Sequence, residues 1–204
     1  MKKLLFLLTI LMFISCNSQD KRSLAGETEY QRKENIRFKD ASKSPLKKRD
    51  LKKFKGLDFY PVDSSYIVMA ILTRTPNEPI FEMATTTERK PLYKQYGVLS
   101  FTLKGKTLKL HLYQNQENLE DEKYKDYLFL PFTDDTSGDG SYGGGRYMDV
   151  FISQINKNST VALNFNNTYN PYCAYNDKYS CPITPRKNHL DVAIEAGVQD
   201  FKKK

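Results

Sequence analysis

Two alternating segments flank a tight turn near the middle of the chain: YGVLSFTL, then KGK, then TLKLHLYQ, residues 96–114. In the second segment Leu108, Leu110 and Leu112 fall on one side and Lys109, His111 and Tyr113 on the other, the period of two that marks a strand with one buried face. A turn of two or three residues containing Gly105 joins only antiparallel neighbours. Whatever else the chain does, it must therefore build an antiparallel sheet around this hairpin. YIVMAILTR, PIFEMATTTER, YLFLPF, RYMDVFI, VALNFN and LDVAIEAG supply further strand-like runs. Nothing beyond Gly56 carries a long helical period, and no repeat of 20 to 50 residues is visible. The predicted fold is mainly β, an antiparallel β-sandwich or partly open β-barrel with a short N-terminal helical extension.

The N-terminus has a different texture. MKKLLFLLTILMFIS joins two lysines to a short apolar run ending at Cys16. The run is too short for a permanent span and has the form of a cleaved signal. FISC resembles the lipobox of bacterial lipoproteins, with Phe13 in place of the usual leucine. The resemblance implies that residues 1–15 are a signal peptide and that Cys16 carries lipid, anchoring the chain to a membrane of the cell envelope. Asn17 and Ser18 lack the aspartate that retains lipoproteins at an inner membrane, which makes an outer membrane, facing periplasm or surface, the expected destination. The alternative is an ordinary secretory signal with an incidental cysteine. Residues 16–26 read as a disordered tether, residues 27–56 as a basic helical extension and residues 57–204 as one β-rich domain.

Charge is divided along the same line. Residues 16–56 hold thirteen Lys or Arg against six Asp or Glu, whereas residues 57–204 hold seventeen against eighteen. The basic pI belongs to the tether and extension, and no basic face of a folded domain is implied, so nucleic acid is not an expected partner. In the extension, ETEYQRKENIRFKD reads as a charged helix with few apolar anchors. SPLKKRDLKKFKGL reads as a second one, with Ser44 as N-cap and Pro45 at its first position.

GDGSYGGGRY, residues 138–147, meets the spacing of a dinucleotide loop. The following RYMDVF alternates as a strand where a helix should begin, and no acidic residue lies at the ribose distance. Asp135, Ser137, Asp139 and Gly140 fit the opening of an EF-hand loop, but Arg146 occupies the position of its bidentate acid. A calcium site of another kind, drawing on Asp134, Asp135 and Asp139, stays open. The simplest reading is a glycine-shaped turn, and no cofactor or metal is expected.

The other dense region is LNFNNTYNPYCAYNDKYSCPITPRKNHLDVAIEAG. Cys173 and Cys181 are expected as a disulfide or as adjacent structural thiols in an oxidising envelope. A metal set would add His189 at an unfamiliar spacing. A nucleophilic thiol would need His111 or His189 as base.

FYPVDSSYIVMA, FTDDTSGDGSYGGGRYMDV and this last segment together resemble the bacterial family called domain of unknown function 1684. The resemblance covers about residues 57–200 and rests on long irregular motifs recurring in order: an acid-T-x-G, T-Y-G-x-G-R-[YF], D-F-N-x-A-Y-N-P-x-C-A-[YF], C-P-x-P-P and A-I-x-A-G. It points to Asp135, Thr136, Gly138, Tyr142, Gly143, Gly145 and Arg146, then to Asn166, Tyr169, Asn170, Pro171, Cys173, Ala174 and Tyr175, and to Cys181 and Pro182. This chain departs from the pattern at Asn164, Thr168 and His189, where the family has aspartate, alanine and a basic residue. It supplies no activity. The leading expectation is an unknown small or oligomeric ligand held at one mouth of the domain by Asp135, Tyr142, Arg146, Asn166, Tyr169, Asn170 and Tyr175, with Arg146 as a forked donor. The alternatives are a hydrolase using Asp134 or Asp135 with Arg146, and an assembly lipoprotein docking a protein partner.

Overall fold

A computed structural model of the chain describes residues 26–117, 119–122 and 124–201; the signal segment and Cys16 lie outside the described residues. Two helices come first, α1 (Glu29–Lys39) and α2 (Lys48–Lys53). Eight strands follow: β1 (Ile67–Arg74), β2 (Ile80–Glu82), β3 (Leu92–Leu103), β4 (Lys106–Asn115), β5 (Tyr127–Asp134), β6 (Arg146–Phe151), β7 (Thr160–Asn164) and β8 (His189–Leu190). The ladder runs β6-β5-β4-β3-β1-β7 and is antiparallel throughout, with β2 added to β3 and β8 laid parallel on β5. The sheet curls into a half-barrel. Its two end strands do not pair as strands. A single bridge, Tyr147 with Tyr169 just beyond β7, ties the ends together.

The hairpin β3–β4 has the geometry its sequence requires. Lys104 and Gly105 both take positive φ, 48° and 75°, as the mirror-image turn needs. Leu99, Phe101, Leu110 and Leu112 then point into the curl, where Leu128, Leu130, Phe132, Val161, Leu163, Phe165 and Ile194 meet them. The lumen is packed with apolar side chains. The opposite face of β4 is not wholly solvated: Tyr113 is fully buried there in a second cluster with Met83, Tyr93, Phe129 and Tyr147.

Other expectations are corrected. PIFEMATTTER forms strand only over Ile80–Glu82, because the Thr86 amide bonds the Cys181 carbonyl at 2.9 Å and Ala84 accepts from Ile183 at 2.8 Å, drawing the segment onto the cysteine loop. LDVAIEAG contributes strand only at Leu190. Its Ile194 and Ala196 carbonyls, and that of Val198 just beyond it, accept from the guanidinium of Arg146. The second helix starts after Lys47, not at Pro45; Ser44 Oγ accepts from the Leu46 amide in a turn outside the helix. Both helices pack on the β domain: Phe38, Leu46, Phe54 and Leu57 share a cluster with Ala174, Tyr175 and Val198. Helix α1 buries Gln31, Asn35 and Phe38, spaced four and three apart. Two of those three are polar, which is why its sequence shows so weak an apolar stripe.

Candidate functional site

Where the barrel fails to close, a cleft of about 720 Å³ opens. Beyond the Tyr147–Tyr169 bridge, β6 and β7 diverge. Asp149 and Phe151 line one wall, Ala162, Asn164 and Asn167 the other. The cysteine loop closes one end with Tyr172, Tyr179 and Pro182, and α1 contributes Tyr30, Glu34 and Arg37, one face of the helix at spacings of four and three. Volume and aromatic lining are those of small-molecule sites.

Two polar groups organise the cleft. Arg37 grips the Glu34 carboxylate through two nitrogens and donates to the Tyr172 hydroxyl, with its guanidinium 5.3 Å from the Tyr172 ring centre. That charge pair is satisfied within the wall. Asp149 differs. Its side chain is exposed, its Oδ1 accepts from Tyr127 at 3.0 Å and from Tyr169, and among the described residues Oδ2 receives no hydrogen bond and no cation pairs with it. Burial, with the charges of Glu34 and Asp149 adding to it, raises the Tyr30 phenol well above its ordinary range. Tyr127 and Tyr169 are raised by burial first as well; Asp149 then raises Tyr127 further against a lowering hydrogen bond from Tyr169, and Tyr127 and Asp149 both add to the rise of Tyr169. These phenols are neutral at physiological pH, so the carboxylate sits among uncharged aromatic rings.

The residues singled out from sequence mostly lie elsewhere. Of the seven expected ligand contacts, only Tyr169 lines the cleft. Arg146 is 0% exposed and cannot meet a ligand. It pairs with Asp134 at 2.8 Å and donates to the carbonyls of Ile194 (2.8 Å), Ala196 and Val198 (3.5 Å). Its ion partner is Asp134, one of the two carboxylates the hydrolase reading offered as acid or base. Asp135 is exposed beside His189, 3.9 Å away. Asn166 clasps residue 63, its Oδ1 accepting from the Asp63 amide at 3.0 Å and its Nδ2 donating to the carbonyl at 2.8 Å. Asn170 is buried and donates to Gln199. Tyr175 is buried between Phe38 and Phe201. Tyr142 is half-buried, its hydroxyl 3.9 Å from Cys173 Sγ. Arg146, Asn166 and Asn170 thus fasten irregular backbone, and of the seven Tyr169 alone reaches the cleft.

Cys173 and Cys181 are free thiols in contact, the Cys173 amide donating to Cys181 Sγ at 3.2 Å. A hydrogen bond from Cys181, opposed by burial and helped by Tyr142, lowers the Cys173 thiol to about 6, while the Cys181 thiol is pushed up. His189 is held by Thr133 and faces Asp191 at 3.4 Å. No group of three metal-ligating side chains forms among the described residues. Both Asp134 oxygens are spent, Oδ1 on Thr136 and the Ile194 amide and Oδ2 on Arg146, which removes it from any calcium site. The family departures have local reasons. Asn164 Oδ1 caps the Asn166 amide at 3.1 Å, a task an aspartate performs equally, and the His189 position lies between two carboxylates, where a basic residue would fit.

Sequence reading missed Tyr30, Glu34, Arg37, Tyr127 and Asp149. A signal existed for the last. Asp149 is the one acidic residue in RYMDVF, on the face opposite Met148 and Val150, both of which enter the core.

No curated protein matches this chain. The solution NMR structure of an uncharacterized protein from Haloarcula marismortui is similar, with 31% identity over 83% of this chain and 89% of that one and a TM-score of 0.64. The family model described as "Protein of unknown function (DUF1684)" matches residues 52–199, which take in both strand walls and the cysteine loop and leave α1 outside. By the extent of that match, the chain belongs to the DUF1684 family.

Proposed function

We propose that this protein is a lipid-anchored component of the cell envelope that binds a small ligand in the seam cleft. The cleft carries the reading: about 720 Å³ of aromatic-lined space holding an unpaired carboxylate, in a barrel whose lumen is otherwise full. The anchor rests on the signal-like first fifteen residues and Cys16, with the outer membrane as destination where the cell has one. No helix among the described residues is long and apolar enough to cross a membrane.

Filling the cleft tests the binding half. Ala162 is an exposed cleft residue on β7. Ala162→Trp should abolish the binding of envelope metabolites, read by ligand-detected NMR, at an unchanged melting temperature. Undiminished binding in that variant would refute the site. The anchor is tested by labelling cells with radioactive palmitate: the wild-type chain should take up label and sediment with membranes, and Cys16→Ser should do neither.

A further inference from the structure

We infer that the ligand of the cleft is an organic cation, an alkylammonium group seated over Asp149. The inference rests on the cleft being a binding site and adds its chemistry. Glu34 and Arg37 neutralise each other within the wall. Asp149 is then the one charged side chain of the cleft lining without an opposite charge among the described residues, and an ion of positive sign is what it would draw in. Asp149 is exposed to the cleft, and Tyr30, Tyr169, Tyr172 and Phe151 line that cleft with it. Aromatic rings attract cations through their quadrupoles. The wall already shows the preference: Arg37 lies 5.3 Å from the Tyr172 ring centre.

The phenols reinforce it. Tyr127 and Tyr169 both direct their protons to Asp149 Oδ1, which fixes the carboxylate and leaves Oδ2 for a ligand N–H or for the charge of a quaternary ammonium. An anionic ligand would meet Asp149 with no free cation among the described lining residues, since the Arg37 fork is occupied by Glu34 and Tyr172. A neutral polyol could hydrogen-bond to Asp149 but would gain nothing from its charge.

The test compares choline with its uncharged isostere 3,3-dimethylbutan-1-ol on the same protein, by titration calorimetry and by the chemical shifts of labelled tyrosine rings. Choline should bind at least tenfold more tightly and shift the cleft rings. Raising the salt concentration should weaken choline alone. Asp149→Asn keeps the size of the side chain and an oxygen to accept from Tyr127 and Tyr169 while removing the charge; it should cost choline tenfold or more and leave the isostere unchanged. Equal binding of the two wild-type ligands, or of glucose or acetate in preference to choline, would overturn the cationic assignment and leave the cleft standing as a site. If no cleft tyrosine responded to choline, the isostere, glucose or acetate, the binding reading beneath it would fall as well. The wild-type comparison alone decides the matter should Asp149→Asn fail to fold.

Discussion

Replacing Arg146 by methionine is the sharpest test of what the glycine loop is for. The side chain is 0% exposed and its guanidinium meets Asp134, Thr136 and three carbonyls of the 194–198 segment. Methionine fills much of the volume and removes every one of these bonds. Asp134 would keep three hydrogen bonds, from the Thr136 amide and hydroxyl and the Ile194 amide, but lose its only opposite charge among the described residues. Breaking a buried pair by removing one partner costs about 3–5 kcal/mol, and the abandoned carbonyls add to it. For a domain of this size each kcal/mol lowers the melting temperature by about 2–4 °C, so a fall of roughly 10 °C is expected in thermal unfolding followed by circular dichroism. Adding Asp134→Asn should recover part of the loss, because no unpaired charge then remains buried, and the double-mutant cycle should show coupling above about 1 kcal/mol. Arg146→Lys keeps the charge but not the fork and should fall between. A melting temperature within 2 °C of wild type, together with lost ligand binding, would refute the clamp and return Arg146 to the ligand.

Three further outcomes follow from the same contacts. Iodoacetamide should alkylate Cys173 with a midpoint near pH 6, where the hydrogen bond from Cys181 holds its thiol; Tyr142→Phe should move that midpoint upward, and a midpoint in the ordinary thiol range would contradict the contact. In alkaline titration followed at 295 nm, Tyr30, Tyr113, Tyr127, Tyr147, Tyr169 and Tyr175 should stay protonated above pH 10, because burial raises each of them. A folded pKa raised above the unfolded one contributes stability below about pH 10 that is lost as pH rises beyond it, so these phenols should ionise together with unfolding; their independent titration near 10 would show the burial to be wrong. Gly197 has φ 77°, and a Cβ there would lie 2.0 Å from Thr168 Oγ1 and 2.7 Å from the Phe165 carbonyl. Gly197→Ala should therefore destabilise the fold by more than about 1 kcal/mol, and by less when Thr168→Ala, the residue usual in the family, removes the nearer obstacle.

The sheet was legible where side chains report their own backbone. Leu108, Leu110 and Leu112 alternate because β4 alternates, and Gly105 marks a turn that only positive φ can make. Reading failed where backbone groups are satisfied from far away. Nothing local in LDVAIEAG shows that its carbonyls bond an arginine some fifty residues earlier. The same cause governs the expected site residues. Arg146, Asn166 and Asn170 looked like ligand contacts because they are polar, irregularly spaced and embedded in glycine and proline. They carry that pattern because irregular backbone needs polar side chains to satisfy it. The cleft residues are scattered over α1, β6, β7 and the cysteine loop, and no spacing unites Tyr30, Asp149 and Asn164 before the chain curls.

The cleft exists because the barrel cannot close. β7 ends at Asn164, whose side chain caps a tight turn over Phe165–Asn167, and the chain regains contact with β6 only at Tyr169. The strand edges left open between those points are a liability, offering unpaired backbone groups to any passing strand. Helix α1 faces that gap, held by Phe38 against Phe54 and Tyr175 and by Asn35 bonding the Leu57 amide at 2.8 Å. A helix brings no backbone donors of its own to the edges, so it shields them without filling the space, and the aromatic and charged face it turns inward completes the walls. The same helix thus guards an open seam and forms one side of a binding site. On that argument Tyr30→Leu, which keeps the helix and its Phe38 anchor, should weaken the binding of choline while leaving the melting temperature in place. A truncation removing α1 should do both kinds of damage at once.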